Sequence, residues 1–263
     1  MSTALTSGRR NAVERLRALF VAGRSKPFVP RGSHAPRCPD CRVLFSHCLC
    51  SLRPLVQTRS GMCLIMCDNE PLKPSNTGWL IADVVNDTAA FGWSRTAVEP
   101  ALLTLLADPQ WQPYLVFPGE FAAAPRVVTE LQPLCGKKPL FVLLDATWSE
   151  ARKMFRKSPY LDHLPVLSLQ PEQLSRYRLR RSARAEHLCT SEVAAVCLAM
   201  AGEPHAAETL EVYLDVFSNH YLNSRQSVAP DLEDAAHQRL RDLARLVPGN
   251  HANTPLDPGS SPG

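Results

Sequence analysis

The sequence predicts an α/β fold, a mainly parallel sheet flanked by helices, and three observations predict it. Short apolar runs alternate with longer helical patterns, the order that arises when a helix follows each strand and returns the chain across the sheet. The 263 residues, 45% of them hydrophobic, suffice for one substantial domain with appendages but would be tight for two. The run Phe141-Val142-Leu143-Leu144-Asp145 reads as a buried strand that ends in a carboxylate at a helix start. Ligands of such folds sit outside the carboxyl ends of the strands, so these junctions carry the functional argument.

Taken in order, residues 1–35 are rich in Ser, Gly, Pro and Arg and read as a mobile or partly helical tail. A basic amphipathic targeting stretch over 11–22 is the alternative to a frayed or surface helix there. No long apolar region follows the N-terminal basic residues, so secretion is not expected. Residues 36–54 form a small cysteine-bearing module, and 55–226 the main domain. Strands are expected at 62–67, 114–117, 140–144 and 166–169, with helices at 77–86, 149–157 and 172–181. Helices at 191–201, 207–222 and 231–246 close the domain. Residues 227–247 supply a C-terminal helix, and 248–263, dominated by Pro, Gly, Asn and Ser, a second flexible tail. No run approaches the about 18–20 apolar residues that cross a bilayer, so no membrane partner is expected. The twelve glycines include no Gly-x-Gly, which excludes the common dinucleotide fingerprint, and the Walker phosphate loop is also absent.

A net charge of +4 is too small to indicate a nucleic-acid partner, so local clustering must carry that case. The nine cysteines are an odd number with one tight cluster, which argues against a secreted disulfide framework and for a reducing, cytoplasmic compartment. Cys38-Pro-Asp-Cys41 followed by Cys48-Leu-Cys50 can surround one tetrahedral ion, and a four-thiolate shell leaves no open position for water. Structural Zn2+ is the first reading. An iron–sulfur centre and unligated reduced thiols are the others. His47 is read as an adjacent surface histidine. Cys63, Cys67, Cys135, Cys189 and Cys197 lie in or beside apolar runs and are read as buried, inert thiols.

At the strand ends, Thr147-Trp148-Ser149-Glu150 fits the Ser/Thr-x-x-Glu capping box, so a purely structural junction is a full explanation on local grounds. Trp148 strains it. A large aromatic beside a carboxylate can stack a base or an adenine ring. Arg152 and Arg156, like Lys153 and Lys157, stand one turn apart on the next helix, a pattern that phosphate contact and a solvated face explain equally. Arg176, Arg178, Arg180, Arg181 and Arg184 surround Tyr177, and such dense like charge favours an anionic partner. Asn76 and Ser191 are candidate N-caps before apolar helices, and Glu192 favours the dipole of its helix.

Together the cysteine cluster of 38–50, Glu70-Pro-Leu-Lys-Pro-Ser-Asn-Thr-Gly78, Trp93-Ser-Arg-Thr96, Asp145-Ala-Thr-Trp148 and Leu188-Cys-Thr-Ser-Glu192 closely resemble the DTW-domain family, the tRNA-uridine aminocarboxypropyltransferases. The resemblance covers about residues 37–226. It implies a SPOUT-like knotted fold, S-adenosylmethionine as donor, a variable-loop uridine of tRNA as acceptor, and methylthioadenosine as the released product. On that resemblance Asp145 is the first candidate for the catalytic carboxylate and Glu192 the second. Asn76, Thr77, Arg95, Thr147, Trp148 and Thr190 would form the donor pocket, and Arg152, Lys153, Arg176, Arg178, Arg180 and Arg181 would hold tRNA phosphates. No obligate protein partner is implied. A SPOUT-type methyltransferase using the same donor, and a non-catalytic zinc-dependent RNA-binding protein, are the competing readings.

Overall fold

A computed structural model describes residues 10–26, 35–132, 134–169 and 188–246. Its elements in chain order are α1 (Ala12–Ala22), β1 (Gly61–Met66), α2 (Gly78–Val84), β2 (Thr88–Gly92), α3 (Pro100–Ala107), β3 (Trp111–Val116), β4 (Val127–Val128), β5 (Lys138–Asp145), α4 (Trp148–Arg156), β6 (Val166–Leu167), α5 (Thr190–Met200), α6 (Pro204–Gln226) and α7 (Ala235–Arg245). The expected helix over 172–181 and the tail over 248–263 lie outside the described residues.

The described strands form one six-stranded sheet in the order β2-β1-β5-β3-β6-β4. Every pairing is parallel. β1 and β5 are neighbouring interior strands, and every residue of β1 is buried, as expected for a strand covered on both faces. The pleat sorts its side chains. Met62, Leu64 and Met66 of β1 and Phe141 and Leu143 of β5 face the core with α1, α2, α5 and α6. Cys63, Ile65, Leu140 and Val142 face the opposite core with α3 and α4. This period of two places Asp145 on the first face and Ala146 in the second core. Among the described residues no helix is long and apolar enough to cross a membrane.

The N-terminal segment, expected to be mobile or partly helical, holds a helix that is docked on the domain. Residues 12–22 form a helix with Val13, Leu16 and Arg17 buried, packed on α2 and β2. Its start is fixed by a reciprocal capping box: Asn11 Oδ1 accepts from Glu14 N at 2.8 Å, and Glu14 Oε2 accepts from Asn11 N at 3.0 Å. Asn11 Nδ2 also donates to Asp83 Oδ1 at 2.7 Å, while Tyr213 donates to Asp83 Oδ2 at 3.0 Å and Arg53 binds Glu14 at 2.5 Å. These polar residues form a buried network that ties α1 to α2 and α6. Replacing Asn11 with alanine removes the cap and a donor to a buried carboxylate, and urea unfolding should show a loss of about 1–2 kcal/mol. A loss no larger than that of a surface substitution would mean that α1 is not docked.

Candidate functional site

The carboxyl end of β5 stands mid-sheet, where Asp145 pairs in register with Met66 at the end of β1. Asp145 is fully buried. A bare carboxylate there would be costly, and two hydroxyl or amide donors offset the loss of water. Asn76 Nδ2 donates to Oδ2 at 2.7 Å, and Thr190 Oγ1 donates to Oδ1 at 2.7 Å. Each donor stands at the start of a helix, α2 and α5 respectively, so the positive ends of two helices converge on one negative charge.

The α2 side is built by an Asx turn. Asn76 Oδ1 accepts from Gly78 N at 2.9 Å, which leaves its amide free to turn toward the carboxylate; Thr77 takes the N-cap position that sequence gave to Asn76. Thr77 Oγ1 accepts from Ser191 N at 3.4 Å and joins the two helix starts. Gly78 has to be glycine on grounds of space, since a Cβ there would lie 2.4 Å from Asp145 Oδ2. On the α5 side the N-cap is Cys189 and not Ser191. Glu192 Oε2 accepts from Cys189 N at 2.7 Å, closing a capping box that holds Thr190 in place. Ser191 Oγ is buried with no hydrogen-bond partner among the described residues, which marks a place for a polar group at this junction.

Glu70 is the neighbour that sequence reading quoted without giving it a role. It is buried in the turn after β1, pairs with Lys73, and lies 3.4 Å from Asn76 Nδ2, so one amide faces two carboxylates. Burial and then the charge of Asp145 push its carboxyl above the usual range, against the pull of Lys73 and Asn76. The cue was available in sequence: Glu70 is six residues before Asn76 in the same polar turn, the only stretch that leads from β1 to α2.

The other predicted residues sit on the far face of the sheet or at its edge. Thr147 begins α4, where its N–H donates to Glu150 Oε2 at 3.1 Å in the expected capping box. Trp148 is 39% exposed, stacked on Phe117 with ring centroids 5.5 Å apart and set edge-on to Phe121. Arg152 lies over Phe121 at 4.9 Å, and Lys153 over Trp93 at 5.7 Å. These form an aromatic shelf with cations on its rim. Arg95 is exposed in the loop beyond β2, two residues after Trp93. The structure therefore gathers Asn76, Thr77, Asp145, Thr190 and Glu192, and sets Trp148, Arg152 and Lys153 across the sheet from them. Arg176, Arg178, Arg180 and Arg181 lie outside the described residues.

The Sγ atoms of Cys38, Cys41, Cys48 and Cys50 all lie within 4.8 Å of one another, with Cys38–Cys50 at 3.6 Å and Cys41–Cys48 at 3.7 Å. A zinc tetrahedron with about 2.3 Å bonds has edges of about 3.8 Å, so this cluster fits such an ion. Burial first, and then the neighbouring sulfurs, raise the Cys48 thiol to about 11, and a divalent cation is the charge that would offset this. His47 is buried rather than on the surface: its Nε2 is bonded to Val228 O at 2.7 Å and its Nδ1 to Ser46 at 2.8 Å, so both ring nitrogens are turned away from the sulfurs. Of the five remaining cysteines, Cys63, Cys189 and Cys197 are buried as expected, whereas Cys67 is half-buried and Cys135 is exposed. Both lie at the ends of their apolar runs, where neighbours no longer enclose the side chain.

The model of the DTW domain matches residues 35–222, which takes in both the cysteine cluster and the Asp145 junction. This chain belongs to the DTW-domain family. No solved structure matches it. Membership in the DTW family is consistent with a tRNA-modifying function, and the matched span closely follows the 37–226 expected from the motifs. The matched span includes Asp145-Ala146-Thr147-Trp148, at a strand end where two helix starts meet.

Gly78→Ala tests how tightly this junction is built. Alanine is normally the better residue in a first helical turn, yet here its methyl group strikes Asp145. Thermal unfolding should show a destabilisation of about 1–3 kcal/mol. A neutral or stabilising effect would contradict the close approach.

Proposed function

We propose that this DTW protein transfers the 3-amino-3-carboxypropyl group of S-adenosylmethionine to N3 of a variable-loop uridine in tRNA and releases methylthioadenosine. The observation that carries the reading is the buried Asp145 carboxylate held by Asn76 and Thr190 between two helix starts, within a chain that matches the DTW domain. The residues fit such a donor: an anionic centre suits its ammonium and sulfonium charges, and the unpartnered Ser191 hydroxyl offers a further contact. When bound, S-adenosylmethionine supplies a sulfonium whose attached carbons are electrophilic, and the methylene of its amino-acid arm is the one that must face the uridine.

In this reading the chain orients and moves one proton. Asp145 accepts the proton of uridine N3 as the N3–C bond forms and the C–S bond breaks, so that methylthioadenosine leaves neutral. Asn76 and Thr190 fix the direction of the carboxylate, and Thr77 and Glu192 hold the two helix starts that carry them. Glu192 is the second candidate acid or base. Thr147 and Trp148 open α4 across the sheet, where the aromatic shelf suits a stacked base, and Arg95 pairs with the carboxylate of the donor. Arg152 and Lys153, with Arg176, Arg178, Arg180 and Arg181, contact phosphates, which makes tRNA binding steeply salt-dependent. Zinc in the cysteine cluster plays a structural part, and nine cysteines with no disulfide among the described residues suit a cytoplasmic, reducing setting.

Two donors, one labelled in the aminocarboxypropyl carbons and one in the methyl, decide the reaction with unmodified tRNA. Only the first should label RNA, with methylthioadenosine released; label arriving only from the methyl would identify a methyltransferase and sink the proposal. Asp145→Asn should lower transfer by at least about a hundredfold while tRNA binding changes little. Retention of transfer in that variant would remove Asp145 from the chemistry.

Elemental analysis of the purified chain should find one zinc per chain. Cys41→Ser should release it and lower the unfolding temperature, whereas stoichiometric iron with visible absorbance would replace the zinc assignment by a cluster.

A further inference from the structure

The cysteine cluster and the Asp145 junction are separate in sequence, yet one side chain joins them. Arg42 directly follows Cys41 and is one of two non-glycine residues among those described with a positive φ, 65°. The turn that forces this conformation is the metal knuckle itself: Arg42 N donates to Cys38 O at 3.1 Å, and Cys38 N donates to Val43 O at 2.8 Å. The left-handed step sends the guanidinium away from the sulfurs to the turn after β1. There Nη2 donates to Leu72 O at 2.5 Å and Nη1 to Pro71 O at 3.4 Å. Those carbonyls belong to the turn that carries Glu70 and Lys73, and that turn leads within a few residues to Asn76, the donor to Asp145.

We propose that Arg42 is a positioning residue, through which the folded cysteine knuckle sets the Glu70–Gly78 turn and with it the Asn76 hydrogen bond to Asp145. The fork of the guanidinium suits two adjacent carbonyls, and those of Pro71 and Leu72 lie at the end of a single 3-10 turn, where the helix itself offers them no following N–H. On the other side, Arg17 of α1 donates to Pro39 O and Asp40 O, so the knuckle is braced from behind and can transmit its position forward. Loss of metal would then loosen the donor pocket without any change in the pocket residues, as with outer residues that orient a metal site, here acting in reverse.

The test uses zinc-loaded, full-length protein and two variants. Arg42→Gly deletes the guanidinium while easing the left-handed turn, so the knuckle is expected to fold and keep its zinc. Arg42→Lys keeps a donor within reach. Hydrogen exchange followed by mass spectrometry, with no donor present, should show amides of residues 70–78 exchanging about tenfold faster in Arg42→Gly and within about threefold of wild type in Arg42→Lys. Wild-type protein stripped of metal by a chelator should show the same increase over 70–78. In addition, and resting on the donor reading above, S-adenosylmethionine should bind Arg42→Gly about tenfold more weakly and kcat at saturating donor should fall about tenfold, with both close to wild type in Arg42→Lys. Unchanged exchange over 70–78, faster exchange spread evenly over the chain, or loss of zinc from Arg42→Gly would each overturn the proposal. A wild-type protein that binds no S-adenosylmethionine would contradict the functional reading, while the exchange pattern alone would still decide the role of Arg42.

Discussion

One buried negative charge organises the centre of this protein. Asp145 ends the central strand on the face covered by α2, α5 and α6, where water cannot reach it. Its two oxygens are held by Asn76 and Thr190, residues separated by more than a hundred positions in the chain. Removing either donor would leave the charge partly unpaired in a low-dielectric site, a loss of several kcal/mol in comparable cases. The surrounding choices follow from this constraint. Gly78 has no Cβ because Asp145 fills that space, Asn76 makes an Asx turn so that its amide can point inward, and Glu192 closes a capping box that fixes Thr190.

The pleat then separates two kinds of surface at the same strand end. Asp145 and the helix starts occupy one face, while Ala146 enters the opposite core and α4 presents Trp148 beside Phe117 and Phe121. A buried, negatively charged junction and an aromatic shelf rimmed by Arg152 and Lys153 are thus a few residues apart in sequence and on opposite sides of the sheet. The short Asp-x-Thr-Trp signature is compact because a strand-to-helix turn serves both faces at once.

Much of this was legible because it is local. The buried run before Asp145, the Thr147–Glu150 capping box and the closely spaced cysteines are fixed by neighbours within a few positions, and each appears where its pattern placed it. What escaped sequence reading depends on distant partners. The helix α1 read as a mobile or partly helical tail because what docks it, Asn11 on Asp83 and Glu14 on Arg53, lies far along the chain. His47 looked exposed because its partner, Val228, is far along the chain. Glu70 and Arg42 sat inside quoted motifs without a role: the turn that Glu70 shares with Asn76 was its one cue, and no local pattern tells that a knuckle arginine reaches the Pro71 and Leu72 carbonyls. The two-residue β4 is too short, and too little buried, for periodicity to single it out.

The central claim is that this junction builds an aminocarboxypropyl pocket for a tRNA uridine. Nucleoside mass analysis of tRNA from cells that lack the protein tests it most directly, because substrate and product are read together. The account predicts that 3-(3-amino-3-carboxypropyl)uridine disappears, that unmodified uridine takes its place, and that wild-type protein restores it while Asp145→Asn does not. An undiminished level of that nucleoside, with a methylated nucleoside lost in its stead, would contradict it.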